Sequence, residues 1–469
     1  MSHVKDMTTG SPARLIASFA LPLMLGNIFQ QLYAMVDTIV VGQGVGVEAL
    51  AALGAADWPN WMVLGIIIGF TQGCSLLSAQ RFGASDQEGL RKSISHSLML
   101  SVLIAVTFTI LSLFCIHPLL DLLDTPENII EGAATYLTIS FSCIIAIMAY
   151  NFCAAILRAL GDSRTPLFAM ITAAFVNIVL DLLFVIVFHW GIAGAAAATG
   201  IAQFISFLFC FRVLRQLPQL RLCREDFRID PVYIRELLRL ASPMAFQNFI
   251  IAAGGLVVQY VVNGFGFLFV AGYTATNKLY GLLEIAATSF GFSMATYAGQ
   301  NLGAGKYNRI RQGMNKGLIM AVVVAALISL IIVFLGKPIL LLFISGTAEE
   351  TATVLRISYT YLLFMAAGLP ILYMLYMYRS ALQGMGDTVV PMLSGVAELV
   401  MRISIVLLLP LWIGEYGIYL AEEAAWIGAT LLLGIMYYIR IGRLLKASPP
   451  KEESPLQSSA EQSLLPPSD

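Results

Sequence analysis

Gln80 to Arg91 (QRFGASDQEGLR) closes a long apolar run, and 220 residues later Gln300 to Arg311 (QNLGAGKYNRIR) closes another. A segment that returns at a fixed offset, in the same place relative to its neighbours, marks an internal duplication. Leu157 to Pro166 (LRALGDSRTP) matches Leu382 to Pro391 (LQGMGDTVVP) at an offset of 225, and Pro22 with Asn27 match Pro243 with Asn248 at 221. Around these landmarks the chain falls into apolar runs of about 20 residues or more, the length that crosses about 30 Å of hydrocarbon. Twelve such spans are predicted, over 15–41, 52–79, 93–118, 129–157, 166–190, 193–214, 233–262, 272–300, 313–344, 352–382, 390–412 and 416–443. Six spans per half is an even number, so the halves run in the same direction and are related by an axis along the membrane normal.

Composition agrees with a membrane chain. Of 469 residues 58% are hydrophobic and 12% charged, against roughly 45–50% and 25% in soluble globular proteins. The 39 glycines and 18 prolines are dispersed, which excludes collagen-like and disordered classes for all but the ends. A net charge of −1 gives no reason to expect a nucleic-acid partner. The six cysteines form no CxxC pair and five lie in apolar runs, so neither a disulfide framework nor a zinc site is expected. The first apolar run continues to Val41 without a small-residue cleavage site, so the first span is expected to stay in the mature protein.

Lys and Arg placement sets the expected orientation. With both termini inside, the cytoplasmic face collects Lys5, Arg14, Arg81, Arg91, Lys92, Arg158, Arg164, the run from Arg212 to Arg239, Lys306, Arg309, Arg311, Lys316, Arg379 and the cluster from Arg440 to Lys451. Glu48, Asp121, Asp124 and Glu127 fall outside. The expected organisation is a first lobe over 1–217, a cytoplasmic loop over 218–231, a second lobe over 232–446 and a disordered tail over 447–469, rich in Pro and Ser. Repeated halves suit alternating access, in which two bundles rock about a central site.

Ionisable residues at membrane depth are costly unless they face a cavity or a partner. Asp37, Asp57, Asp181, Glu284, Glu398 and Arg402 are such residues. Asn177 and Asp181 share a helix face by their i, i+4 spacing, and Asp37 and Thr199 reach a similar depth. Two carboxylates brought close resist simultaneous ionisation, so Asp37 and Asp181 together form a candidate site for loading and releasing a proton; the same oxygens also suit sodium. In the second half Arg402 takes the place of Asn177, with Glu398 one turn earlier, so an i, i+4 ion pair is expected there. Glu284 has no obvious local partner and is a candidate for a cationic substrate, a second cation or a packing hydrogen bond.

With MVDTIVVG at Met35 to Gly42, ALAALGAA at Ala49 to Ala56, the two GA-containing inner loops and both LxxxGD segments, the chain resembles prokaryotic members of the multidrug and toxic compound extrusion (MATE) family over residues 12–445. The resemblance implies an all-α polytopic membrane protein of two six-helix lobes forming a V. It also implies export of amphipathic, often cationic compounds against inward proton or sodium flow, from the bacterial inner membrane. One prokaryotic branch holds its cation with an Asp on span 1, an Asn and Asp one turn apart on span 5, and a Thr on span 6, which map to Asp37, Asn177, Asp181 and Thr199. By the same resemblance Gln30, Tyr33, Asn151 and Met170 line the substrate cavity; Met, aromatic and amide surfaces repack around varied ligands, although such residues also serve ordinary helix packing. Other branches place an acid on span 7, where Gln259 and Asn263 offer none, and this departure weakens the case for a second-lobe cation site.

Pro22 and Pro243 each remove a backbone hydrogen bond at equivalent places and are candidate hinges or static kinks. Gly65, Gly69 and Gly73 recur every four residues, as in close helix packing. Asp57 and Lys278, at the outer ends of spans 2 and 8, are expected to approach when the outer side closes. No nucleophile, metal cluster or cofactor pattern accompanies these features, so an enzyme is not expected and H+ or Na+ is the only coupling partner. A lipid-linked oligosaccharide flippase of the same superfamily is the closest alternative, but its anionic cargo calls for Arg and Lys where this chain places mainly acids. The expected partners are small amphipathic or cationic molecules and membrane lipids, with the chain acting as a monomer.

Overall fold

The computed structural model describes residues 4–123, 125–344 and 347–447; Asp124 and the tail from Ser448 on, with Lys451 in it, lie outside the described residues, so the expectations placed on them are not addressed by it. All regular structure among the described residues is helical. The first lobe holds α1 (Pro12–Gly44), α2 (Val47–Gly83), α3 (Gln87–Leu122), α4 (Glu127–Ser142), α5 (Ile144–Ala159), α6 (Arg164–Asp181) continued by a π-helix (Leu182–Val187), and α7 (Gly191–Arg215). The second holds α8 (Pro231–Asn263), α9 (Phe267–Gly303), α10 (Tyr307–Leu340), α11 (Ala348–Gly384), α12 (Val389–Leu408), the short α13 (Pro410–Ile413) and α14 (Tyr416–Ala447).

Among the described residues ten helices are long and apolar enough to cross a membrane by themselves, and α4 with α5, bent by 48° at Cys143, make an eleventh when counted as one span. The twelfth expected span is α9, as long as α2 at 37 residues but too polar to meet that criterion. Its polar residues explain why it needs no apolar coat: Thr276, Ser289, Ser293, Gln300 and Asn301 are all fully buried in the protein, where partners from neighbouring helices satisfy them. The opposite case is α10, whose Phe334 is 73% exposed and whose apolar side has no protein cover. At 1.5 Å per residue the longest helices span about 50–55 Å, so they project beyond the hydrocarbon as well as crossing it. Pro22 and Pro243 sit inside the unbroken helices α1 and α8.

The duplication is written into the backbone. Left-handed φ angles occur at Gly46 and Gly266, at Ser85 and Gly305, at Gly161 and Gly386, and at His189 and Gly414; the first two pairs are separated by 220 residues and the last two by 225. Each pair ends or begins equivalent helices, so the two halves turn their chains in the same places. Equivalent acids do equivalent work there. Asp162 Oδ1 accepts from the N–H groups of Arg164 and Thr165 at 3.0 Å, and Asp387 Oδ1 accepts from Val390 N–H at 3.3 Å, each meeting otherwise unpaired donors at a helix start.

The lobes meet through their first two helices. Asn248 on α8 donates to the carbonyl oxygen of Gly65 on α2 at 2.8 Å, and its repeat partner Asn27 on α1 donates to Ser289 Oγ on α9 at 3.5 Å. Gly69 and Gly73 let α2 lie directly on the α8 backbone: a Cβ on Gly69 would stand 2.6 Å from the Met244 carbonyl oxygen. Near the basic end of the bundle, a Cβ on Gly83 would collide with the Gln300 backbone and one on Gly303 with the Gln80 backbone. At that end the loop between the lobes packs onto α3, where Arg91 lies 3.5 Å from Asp226 and Asp230 N–H donates to His96 Nε2 at 3.0 Å.

Candidate functional site

The first-lobe site is assembled where α6 gives way to the π-helix. A π-helix carries one more residue per hydrogen-bonded turn than an α-helix and is common at functional sites; here it begins directly after Asp181. Asn177 and Asp181 are fully buried. Asn177 Nδ2 donates to Thr199 Oγ1 at 3.3 Å, linking α6 to α7. Both oxygens of Asp181, Oδ1 of Asp37 and Oδ1 of Asn177 are buried without a hydrogen-bond partner among the described residues. Asp181 senses the charge of Asp37, and Asp37 that of Asp57 on α2. Four residues distant in sequence thus form one polar cluster, and its unsatisfied groups are mostly acceptors. Such a cluster attracts a proton or a cation.

Tyr33, one turn before Asp37, is buried and senses both Asp37 and Asp181. Its hydroxyl accepts from Gln203 Nε2 on α7 at 3.4 Å, and Tyr136 on α4 senses Asp37 and Asp57. Gln203 and Tyr136 are missing from the sequence-based site; no motif marks them, and only the packing of α7 against α1 and of α4 against α2 brings them in. Gln30 is exposed on α1. Asn151 gives its amide to the Ile147 carbonyl of its own helix at 2.9 Å, and Met170 is buried in the packed lobe core, near Gly26. Neither is bonded to Asp37, Asn177, Asp181 or Thr199.

The second lobe corrects two expectations. Glu398 and Arg402 do not pair with each other along α12; each pairs with a different helix. Arg379 on α11 holds Glu398 in a short ion pair, and Arg402 Nη2 lies 2.7 Å from Glu422 Oε2 on α14. An intrahelical pair would tie nothing together, whereas these two pairs pin α12 to both its neighbours. Arg379 therefore does not lie on the cytoplasmic surface: it is 6% exposed, turned into the lobe five residues before the end of α11. Glu284 also has a partner, the Tyr376 hydroxyl on α11, which donates to its Oε1. Glu422 and Glu423 are missing from the sequence-based site because they interrupt an otherwise apolar span; two adjacent acids so placed were the available signal.

Twelve helical passes in two repeated lobes, with unpaired acids inside the first and two buried ion pairs beside an unpaired acid in the second, define a polytopic membrane protein of the transporter type. The MatE family model matches residues 22–183 and 243–408, and the chain belongs to this family of multidrug and toxic compound extrusion transporters. It is 30% identical to a probable multidrug resistance protein, YpnP, of Bacillus subtilis, over 93% of this chain and 97% of that one. It is 26% identical to an FAD transporter of Shewanella oneidensis, over 70% and 74% of the two chains. A solved structure of a MOP superfamily transporter from Pyrococcus furiosus superposes with a TM-score of 0.89 at 22% identity, over 95% and 99% of the two chains.

Proposed function

We propose that this transporter exports amphipathic, cationic compounds in exchange for protons that enter through Asp37 and Asp181. The observation that carries the reading is the orphaned buried carboxylate of Asp181, one turn from Asn177 and its bond to Thr199. A proton arriving from the acidic outer side neutralises the pair and removes its repulsion. Span 1 is then free to shift near Pro22, the cavity narrows and the cation leaves. Release of the proton to the cytoplasm restores the anion and the affinity for cationic cargo. The protein acts as a monomer in the bacterial inner membrane with both termini in the cytoplasm.

The proton works only if its affinity differs between the two conformations, and one unit of pKa difference is worth about 1.4 kcal/mol, enough for a tenfold bias. An anionic cargo, as for a flippase, finds little support: the buried guanidinium groups Arg379 and Arg402 are already neutralised by Glu398 and Glu422. The test is transport in proteoliposomes under separately imposed proton and sodium gradients. Asp37→Asn and Asp181→Asn should each fold and bind a cationic dye yet lose proton-driven efflux. Efflux at the wild-type rate in either folded variant would assign that residue a structural role, and efflux driven by sodium alone would replace the proton as coupling ion.

A further inference from the structure

The second lobe sets four carboxylates, the buried Glu398 and Glu423 and the half-buried Glu284 and Glu422, against two buried guanidinium groups, Arg379 and Arg402. The two ion pairs use both arginines, and Tyr376 serves Glu284. Glu423 on α14 is left over. It is 8% exposed, and neither of its carboxylate oxygens has a hydrogen-bond partner among the described residues. One helical turn earlier on the same helix, the buried Tyr419 hydroxyl is also unpartnered.

The surroundings leave a specific vacancy of charge. α11 passes close by at Gly368, where a Cβ would stand 2.9 Å from Glu423 Cγ, and the Trp426 ring closes the same contact. The titratable and charged groups facing Glu423 are Glu422 beside it on α14, whose carboxylate is held by Arg402 of α12, and Tyr361 of α11, which senses the Glu423 charge. Among the described residues no cation pairs with it. A bare carboxylate in such surroundings is costly unless it binds a counter-charge. Sodium needs several oxygens around it, and no hydroxyl or amide group among the described residues bonds to this carboxylate. A proton needs only the carboxylate.

We propose that Glu423 is a proton-binding site of the second lobe: its carboxylate takes up one proton from water, becoming a neutral carboxylic acid in the α11–α14 contact, and returns that proton to water when the contact loosens. The site stands independently of the Asp37 and Asp181 reading, since it involves the other lobe and different helices.

The test uses the purified full chain in detergent. Glu423→Gln replaces the neutral acid with a neutral isostere. A group buried uncharged costs stability once the unfolded chain can ionise it, so wild-type stability should fall as pH rises through that range. The Gln variant should melt with the wild type at acidic pH and a few degrees above it at alkaline pH. In infrared difference spectra the wild type should show a carboxylic-acid carbonyl band that fades at alkaline pH. The band should be absent from Glu423→Gln and retained in Asp37→Asn. Should the Gln variant fail to accumulate, Glu423→Asp should shift the same band. A Gln variant less stable than wild type at every pH, a spectrum unchanged by either substitution, or a band abolished by sodium at fixed acidic pH would overturn the proposal.

Discussion

Met7 N–H donates to Gln300 Oε1 at 2.8 Å, and Gln300 Nε2 donates in turn to the Ala159 carbonyl oxygen at the same distance. One side-chain amide from α9 in the second lobe therefore holds both the N-terminal segment and the end of α5 in the first. Around it Asn301 donates to the Met7 carbonyl, Lys306 to that of Thr8 and Arg309 to that of Gly10, while Lys5 N–H reaches the Leu160 carbonyl. Residues 5–10 form a strap across the basic end. Gln300→Ala leaves a buried donor and a buried acceptor unpaired, at about 1–3 kcal/mol each. Hydrogen exchange at residues 5–10 and 158–161 should quicken by about tenfold or more, and unchanged exchange would show that the strap is held by other contacts.

Breaking one member of a buried ion pair strands its partner, at about 3–5 kcal/mol, whereas replacing both by apolar groups is often neutral or stabilising. Glu398→Gln and Arg379→Met should each lower the melting temperature in detergent sharply. The double substitution Arg379→Met with Glu398→Leu should recover most of the loss. If the double variant is worse than either single one, the pair contributes more than charge balance to α11 and α12.

Thr199 is the hydrogen-bond partner of Asn177 across α6 and α7. Thr199→Val keeps the shape and removes the oxygen, while Thr199→Ser keeps the oxygen. Proton-driven dye efflux should fall in the Val variant and survive in the Ser variant, with both acids intact and expression equal. Equal efflux in the two would assign Thr199 a packing role alone.

Cys223 is exposed in the loop between the lobes, one residue before Arg224. In a variant retaining only this cysteine, an impermeant thiol reagent should label permeabilised cells strongly and intact cells weakly. The reverse pattern would turn the whole topology over.

Asp57 on α2 senses the charge of Lys278 on α9, across the lobe boundary. Cysteines at both positions should form a disulfide under mild oxidation that blocks efflux, with reductant restoring it. No crosslink in the presence or absence of a proton gradient would separate the two ends for good.

How much of this was legible beforehand differs from one element to another. The repeat was readable because its turns need particular residues: a left-handed φ at Gly161 and Gly386, and a missing Cβ at Gly83 and Gly303, leave marks in sequence. The cluster of Asp37, Asn177, Asp181 and Thr199 was readable because acids and amides stand out in apolar helices. The partners of Glu398 and Arg402 were not, since spacing along one helix says nothing of which neighbour it faces. Arg379 was misplaced because it lies near a helix end, where a basic residue normally reaches water. The break at Cys143 and the π-helix after Asp181 carry no proline or glycine at the irregular residues, so nothing local announced them.

The crossing of α2 and α9 at Gly83 and Gly303 has a bearing on leakage. Each glycine lies against the main chain of the other helix, so what closes the molecule at that place is peptide against peptide. A gate made of a phenyl ring or a long amide can swing aside by a single rotamer change in nanoseconds, letting stray ions past between turnovers. Main chain locked in a helix has no such private motion. This crossing can part only when two entire helices separate, which ties any opening there to a slow collective movement and not to the momentary fluctuation of one side chain.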